Sequence, residues 1–142
     1  MEKFSLNSRL KADTIKIAEF ELSELLLMND KNYPWFILVP RRSNISEIFQ
    51  LNDQDQTQLY KEISYLAEIL QQFYRADKVN IGALGNMVPQ LHIHVIMRFK
   101  NDIAWPKPVW GLFDAINYSD EEITQISKDI NGLIKTSFLK TS

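Results

Sequence analysis

The sequence contains no cysteine and only two histidines, His92 and His94. Without thiols the chain can form no disulfide, no cysteine nucleophile and no cysteine-based zinc site. The net charge is -2, which provides no basic face for a nucleic acid polymer, and no run is long and apolar enough to cross a bilayer. The N-terminus also lacks the features of a secretory signal. We therefore expect a cytoplasmic protein that binds neither a membrane nor a nucleic acid polymer, and a single nucleotide remains an acceptable ligand.

Glycine is also scarce, with four among 142 residues, and we find no repeat, low-complexity tract or Gly/Ser linker. The length matches the common size of one domain. The hydrophobic share of 45% is enough for one sizeable core. We predict a single domain over residues 1–142.

Short apolar runs in the first third of the chain indicate β-structure. Residues 14–20, 24–28 and 35–39 have strand-like composition, and turn residues at 29–34 separate the last two runs. Residues 76–80 lead towards a further strand. Because strands and helices do not alternate regularly, the pattern favours an α+β fold with a mostly antiparallel sheet.

Two helices are expected as well. Apolar residues from Leu59 to Phe73, namely Leu59, Ile63, Leu66, Leu70 and Phe73, recur at helical spacing and predict one apolar face. Asp53 or Asp55 is the expected N-cap of this helix. Near the C-terminus, Ser119 and Glu122 form a capping-box pattern that predicts the start of another helix.

Within residues 89–99, the polar Gln90, His92 and His94 alternate strictly with the apolar Leu91, Ile93 and Val95. In a strand, Gln90, His92 and His94 would share one side, with about 7 Å between successive side chains. Three interpretations are open. The polar side faces solvent, or the two histidines bind a metal for which the sequence offers no third histidine and no cysteine, or a neutral imidazole attacks phosphorus.

The segment before this strand favours phosphorus chemistry. Gly82 and Gly85 are two of the four glycines. Glycine permits backbone conformations in which successive N–H groups face one concavity and hold an anion. An ordinary tight turn is the alternative, but a glycine loop that leads into two aligned histidines is the stronger pattern.

The run from Gln90 to Ile96 resembles the signature of the histidine triad (HIT) superfamily, in which three histidines alternate with apolar residues. Gln90 stands where the signature has its first histidine. Gly85 and Asn86 resemble the family's phosphate loop. Residues 27–30 followed by 35–40 are similar to its strand, turn and strand, where an Asn or Asp contacts ribose. The resemblance covers about residues 20–100.

The resemblance implies an α+β fold, with an antiparallel sheet of about five strands, a long central helix, a C-terminal helix and a homodimer that joins two sheets. It implies a hydrolase or transferase that acts on the α-phosphate of a dinucleoside polyphosphate or a nucleoside phosphoramidate. A covalent nucleotidyl-histidine is the expected intermediate. Neither a metal nor another cofactor is expected.

The family's residue roles carry over to matching positions. His92 is the expected nucleophile, and His94 lies near the phosphate and the leaving group. Gln90 orients the site, and its backbone carbonyl accepts a hydrogen bond from His92. The expected nucleotide-binding residues are Gly85, Asn86 and Met87 in the phosphate loop, Asn29 at the ribose and Asn80 as a further polar candidate.

Departures from the family pattern motivate a second hypothesis. Gln90 replaces a histidine, and Met87 stands where members often have Ser or Thr, whose hydroxyl can donate a hydrogen bond. Pro34-Trp35 stands in place of the usual Pro-Gly-His. The alternative is therefore a nucleotide-binding module of the same fold that has lost turnover.

Four further side chains have open assignments. Arg41 and Arg42 face either a phosphate chain or solvent. Trp105 and Trp110 either stack on a base or a dimer partner, or fill a structural gap in a proline-rich loop.

Overall fold

The computed structural model describes residues 3–141. Its regular elements, in chain order, are α1 (Ser8–Asp13), β1 (Thr14–Glu19), β2 (Ser23–Met28), β3 (Trp35–Pro40), α2 (Asp53–Tyr74), β4 (Lys78–Gly82), β5 (Ile93–Arg98) and α3 (Asp120–Leu133). Short 3-10 turns lie at Ile48–Gln50 and Thr136–Phe138. No helix in residues 3–141 has the length and apolar character needed to cross a membrane.

The five strands form one sheet in the order β1-β2-β3-β5-β4, and every neighbouring pair is antiparallel. Short loops at 20–22 and 29–34 join the first three strands, and α2 separates them from β4. The sheet and three helices confirm the predicted α+β class and the long central helix. The capping box of α3 is confirmed too, because Ser119 and Glu122 each accept the other's backbone N–H.

Both faces of the sheet are covered, and β3 and β5 are buried along their whole length. On one face, α2 and α3 pack on alternate residues of the central strands, including Phe36, Leu38, Ile93 and Val95. On the other face, Leu10 of α1 and the loop residues Val88 and Val109 pack on Trp35, Ile37 and Ile96. The histidines belong to this second face and are buried, so the interpretation of a solvated polar face is wrong.

The start of α2 differs from the prediction. Asn52 is the N-cap, and its Oδ1 accepts the backbone N–H of Asp55 at 2.8 Å. Asp53 and Asp55 lie in the first turn, where a carboxylate is favourable near the positive end of the helix dipole. The prediction of an aspartate cap is therefore wrong by one residue.

The predicted apolar face of α2 is wrong at Phe73, which is 42% exposed. The next residue, Tyr74, packs against Phe36 with 6.3 Å between ring centroids. Tyr74 follows the buried Leu70 by four residues and so continues its side of the helix. A buried polar side chain, Glu62, also interrupts the apolar stripe and accepts the backbone N–H of Leu22 at 2.8 Å.

The histidine strand is shorter than the predicted 89–99. Strand β5 begins at Ile93, because Leu91 donates its backbone N–H to Ile45, outside the sheet, at 2.9 Å. The predicted alternation nevertheless holds across this boundary. Leu91, Ile93 and Val95 lie in the core beneath α2, and His94 faces the opposite side.

Candidate active site

The two histidines line a cavity of about 330 Å³ on the sheet face that α1 covers. Helix α1 and the residue Met28 form one wall, the loop after β4 forms another, and a tryptophan from the loop after β5 closes the third. The lining residues are Arg9, Leu10, Asp13, Met28, Trp35, Leu84, Gly85, Asn86, Met87, Val88, His92, His94, Trp110 and Gly111.

His92 is held by the main chain immediately before it. Its Nδ1 lies 2.7 Å from the backbone carbonyl oxygen of Gln90. Because a carbonyl oxygen can only accept, Nδ1 carries the proton and donates it to this bond. In the neutral ring, Nε2 then keeps its lone pair, which is the form a nucleophilic imidazole needs.

His94 lies beside His92, with 4.9 Å between the ring centroids. Its Nδ1 accepts a hydrogen bond from the indole Nε1–H of Trp35 at 3.0 Å. Burial and, to a smaller extent, the charge of His92 lower the pKa of His94 to about 4. His94 is therefore neutral at pH 7.

The loop between β4 and β5 brings its predicted residues to the cavity. Gly85 has φ +69°, a left-handed conformation that favours glycine. Asn86 and Met87 follow it on the cavity wall, where the Met87 side chain is 73% exposed. The structure thus brings five of the predicted site residues together: His92, His94, Gly85, Asn86 and Met87.

Gly82 is not part of this loop. It ends β4 and pairs with His94 across the sheet. A Cβ at Gly82 would lie 3.3 Å from the ring of Trp110, so the missing side chain lets the indole approach the sheet. The interpretation of Gly82 as an anion-binding glycine is wrong, and its role is to admit Trp110.

Trp110 is the predicted tryptophan that reaches the cavity. It contacts His94 edge-on, with 5.4 Å between centroids, and meets Trp35 at 6.4 Å with perpendicular rings. Its indole Nε1 is buried and has no hydrogen-bond partner among residues 3–141. A buried donor without a partner is costly, and here it lies in the wall of a cavity.

Three predicted site residues have their side chains engaged elsewhere. Gln90 accepts the backbone N–H of Asn7 at 2.8 Å and donates to the backbone oxygen of Ser5 at 2.9 Å, so it fastens the segment before α1. Oδ1 of Asn29 accepts the backbone N–H of Tyr118 at 2.8 Å. Neither Gln90 nor Asn29 lines the cavity, and the ribose contact of Asn29 stays a prediction.

Asn80, the third of these residues, belongs to a buried polar cluster that the sequence pattern did not reveal. Arg98 is 1% exposed, donates to Asn80 Oδ1 at 2.8 Å and pairs with both oxygens of Asp102 at 2.9 and 3.1 Å. Asp102 also accepts the backbone N–H groups of Phe99, Ala104 and Trp105. The sequence signal for this cluster was an arginine at the end of an apolar strand, followed four residues later by an aspartate.

This cluster fixes the loop that carries Trp110. Burial alone would raise the pKa of Asp102, but hydrogen bonds from Arg98 and from the loop backbone hold it below its ordinary value. Trp105 lies over the Arg98 guanidinium at 5.6 Å and does not line the cavity. Of the two tryptophans, Trp105 is therefore structural.

The arginines after β3 also lie away from the histidines. Arg41 donates to the backbone oxygens of Phe20 and Glu21 at 2.6 and 2.8 Å. Arg42 pairs with Asp55, with its closest nitrogen–oxygen distance 2.7 Å. The interpretation that they face a phosphate chain in this cavity is wrong. Within residues 3–141, no group of three or more His, Asp and Glu residues is arranged to hold a metal ion.

Comparison with known proteins places this geometry in a family. Residues 9–101 match the model of the HIT domain. The chain belongs to the HIT domain family. The match runs from α1 to the end of β5, so it includes the whole sheet, the glycine loop and both histidines. HIT domains are generally nucleotide-binding hydrolases and transferases.

Solved histidine triad proteins from three bacteria resemble this HIT domain closely. The protein from Bradyrhizobium japonicum is 44% identical, with a TM-score of 0.92 over 94% of this chain and 100% of that one. The Sinorhizobium meliloti protein is 44% identical, with a TM-score of 0.90 over 92% and 97%. The Marinobacter aquaeolei protein is 45% identical, with a TM-score of 0.91 over 93% and 96%. Among curated proteins, none matches this chain.

Proposed function

We propose that this HIT domain hydrolyses or transfers a nucleotidyl group at the α-phosphate of a dinucleoside polyphosphate or a nucleoside phosphoramidate. The observation that carries the proposal is the hydrogen bond from His92 Nδ1 to the Gln90 carbonyl at 2.7 Å. It leaves the Nε2 lone pair for attack at a phosphorus atom bound in the cavity. A backbone carbonyl supplies this orientation whatever side chain residue 90 carries.

The proposed reaction has two displacements at one phosphorus. First, the lone pair of His92 Nε2 forms a P–N bond, and the bond to the leaving group breaks with its electron pair on the departing atom. Water then attacks the phosphorus, the P–N bond breaks, and its electron pair returns to Nε2. The attacking water releases one proton to solvent, and His92 is restored as the neutral ring.

The cavity wall offers donors for the phosphate and apolar surface for the nucleoside. The Gly85–Met87 backbone and the Asn86 carboxamide are the proposed phosphate donors, because fixed dipoles stabilise charge that develops at phosphorus without having to reorganise. Leu10 and Met28 are apolar residues of the opposite wall, and Leu84 adds apolar surface from the same loop as the donors. Most ligand pockets combine apolar walls with a few polar groups in this way.

The second candidate is a module that binds a nucleotide without turnover. The feature that favours it is Met87, whose thioether cannot donate a hydrogen bond to the scissile phosphate. This candidate keeps the cavity and the phosphate loop. It differs only in that His92 forms no covalent intermediate.

A homodimer stays a proposal as well. Strand β4 is an edge of the sheet, and its Ile81 side chain is 51% exposed. An edge strand has backbone groups that can pair with a second copy. Light scattering of the wild type and an Ile81→Lys variant would test this pairing, and a monomeric wild type would contradict it. The cytoplasmic location also stays a prediction.

The proposed activity is tested by chromatography of nucleotide products. Purified protein is incubated with diadenosine tetraphosphate and, separately, with adenosine phosphoramidate, beside a His92→Ala variant. AMP release by the wild type and not by the variant supports the proposal. Calorimetry with AMP on both proteins is the control, and AMP binding without release from either substrate favours the binding module.

A further inference from the structure

The hydrogen bond between Trp35 and His94 determines where the His94 proton lies. The indole Nε1–H donates to His94 Nδ1 at 3.0 Å, and the two residues are 8% and 5% exposed. Water therefore competes little for this bond. Since an indole nitrogen can only donate, Nδ1 must be unprotonated, and the neutral ring carries its proton on Nε2.

Neighbouring rings keep Trp35 in this position. Tyr33 and Trp110 meet its indole edge-on, with centroids at 6.3 and 6.4 Å. His94 is enclosed between Trp35 and Trp110, with centroids at 5.6 and 5.4 Å. Neither tryptophan can turn away without losing packing in a buried cluster, so the donor stays aimed at Nδ1.

The ionisable groups around His94 are few. His92 lies beside it on the chain, and Arg9 and Asp13 of α1 line the same cavity, paired with each other at 3.7 Å. The residues opposite His94 in the sheet, Ile37 on β3 and Gly82 on β4, bring no charge. A carboxylate hydrogen-bonded to His94 would offset the cost of burying its cationic form. None of these groups provides one.

We infer that Trp35 is a positioning residue that holds His94 in the Nε2–H form, so that His94 donates a hydrogen bond to substrate phosphate and gives no proton to the leaving group. This inference rests on the proposed function for its substrate, but the position of the proton can be measured without any substrate. Burial also favours the neutral ring, because it lowers the pKa of His94.

The consequence is a preference between substrate classes. When His92 Nε2 attacks, the proton stays on His92 Nδ1, which donates it to the Gln90 carbonyl, and Gln90 has no acidic proton to give. A phosphoanhydride then releases its oxygen as a phosphate anion, which needs no proton. A phosphoramidate must release an amine, and its nitrogen has to gain a proton as the P–N bond breaks. The site therefore favours phosphoanhydrides such as dinucleoside polyphosphates.

Long-range proton–nitrogen NMR of ¹⁵N-labelled protein tests the position of the proton. Two histidines give two ring patterns, and a His92→Asn variant assigns them. We expect His94 to show the Nε2–H pattern from pH 7 to pH 5. Trp35→Phe removes the donor, so His94 should show mixed patterns and titrate at higher pH. Trp110→Phe is the matched control, because it keeps a ring beside His94 and should leave the Nε2–H pattern unchanged.

Two NMR results would overturn the inference. One is a wild-type His94 that is protonated at Nδ1 at pH 7. The other is a Trp35→Phe protein whose folded spectrum shows His94 with the wild-type pattern and titration. The wild-type measurement alone decides the question if the variant does not fold.

Turnover tests the substrate preference. The wild type should release AMP from diadenosine tetraphosphate at least about 100-fold faster than from adenosine phosphoramidate, since general acid catalysis contributes 10²- to 10⁴-fold. Trp35→Phe should lower the ratio of these two rates. Equal rates for the two substrates in the wild type would overturn the preference. Release of no AMP from either substrate would overturn the proposed function. The NMR experiment would still decide whether Trp35 keeps the His94 proton on Nε2.

Discussion

The Nδ1 atom of His92 lies 2.7 Å from the backbone oxygen of Gln90, and the Gln90 side chain bonds to Ser5 and Asn7 instead of lining the cavity. One residue thus holds the proposed nucleophile through its main chain and the segment before α1 through its side chain. These two roles can be separated by mutation.

Replacing Gln90 by alanine should weaken nucleotide binding more than it slows the chemical step. The variant loses two hydrogen bonds that hold the segment before α1, and Arg9 and Leu10 of that helix line the cavity. We expect KM to rise by about 3- to 10-fold, which corresponds to the free energy of roughly one hydrogen bond. We expect kcat to stay within about 2-fold of wild type. Steady-state kinetics checks this. A fall in kcat with KM unchanged would contradict the assignment.

The unpartnered indole nitrogen of Trp110 should contribute to ligand affinity. Because Nε1 is buried in the cavity wall, Trp110→Phe should weaken AMP binding by about 2- to 10-fold, as expected for one lost hydrogen bond. Trp105→Phe is the matched control, since Trp105 contacts Arg98 and does not line the cavity. Calorimetry on both variants measures the affinity for AMP. Equal affinity of Trp110→Phe and the wild type would show that Nε1 does not contribute to AMP binding.

Much of the site could be predicted from local pattern. Alternation along 89–99 placed His92 and His94 on one side, and the glycine loop placed Asn86 near them, because both depend on residues close in sequence. The polar pattern alone did not show which elements cover the side of the strand that carries the histidines. Helix α1 and the loop that carries Trp110 bury it, and their positions follow from tertiary packing.

The missed features involve contacts between distant residues. Trp35 and His94 are 59 residues apart, and Gln90 and Ser5 are 85 apart. No local periodicity reports such pairs. The Arg98–Asp102 pair is local, but its importance comes from burial beneath Tyr33 and Trp105, which the sequence does not display. The same reasoning explains Asn80, whose partner Arg98 lies on the neighbouring strand.

Removing Asp102 should destabilise the fold strongly. Asp102→Ala leaves the guanidinium of Arg98 buried without its carboxylate and frees three backbone N–H groups. We expect a loss of about 3–5 kcal/mol in the free energy of unfolding, as for other broken buried ion pairs. Urea denaturation measures it, with the exposed Glu68→Gln as control. A loss below about 1 kcal/mol would show that the pair behaves like a surface ion pair.

Acid should destabilise the protein through His94. Its pKa is about 4 in the folded state, against an ordinary histidine pKa of 6.5 in the unfolded chain. Between these values the unfolded state binds more protons, so the stabilisation is fully present above pH 6.5 and is lost as the pH falls towards 4. The loss is about 3 kcal/mol, because each tenfold change in proton affinity corresponds to about 1.36 kcal/mol.

Urea denaturation from pH 7 to pH 4 checks this pH dependence. In a His94→Gln variant the contribution should disappear, so its stability should fall less over the same interval. The carboxylate of Asp102 acts in a lower range, because its folded pKa is depressed and its stabilisation is lost below the ordinary carboxyl value. Identical pH profiles for wild type and His94→Gln would contradict the buried neutral imidazole.

The most direct measurement is the capture of nucleotide on His92. The protein is mixed with excess diadenosine tetraphosphate, quenched in alkali, where a phosphoramidate survives, digested, and analysed by mass spectrometry. We predict that the peptide containing residues 89–98 carries one adenylyl group on His92, and that His92→Ala carries none and releases no AMP. Release of AMP by His92→Ala at the wild-type rate would contradict nucleotidyl transfer through His92.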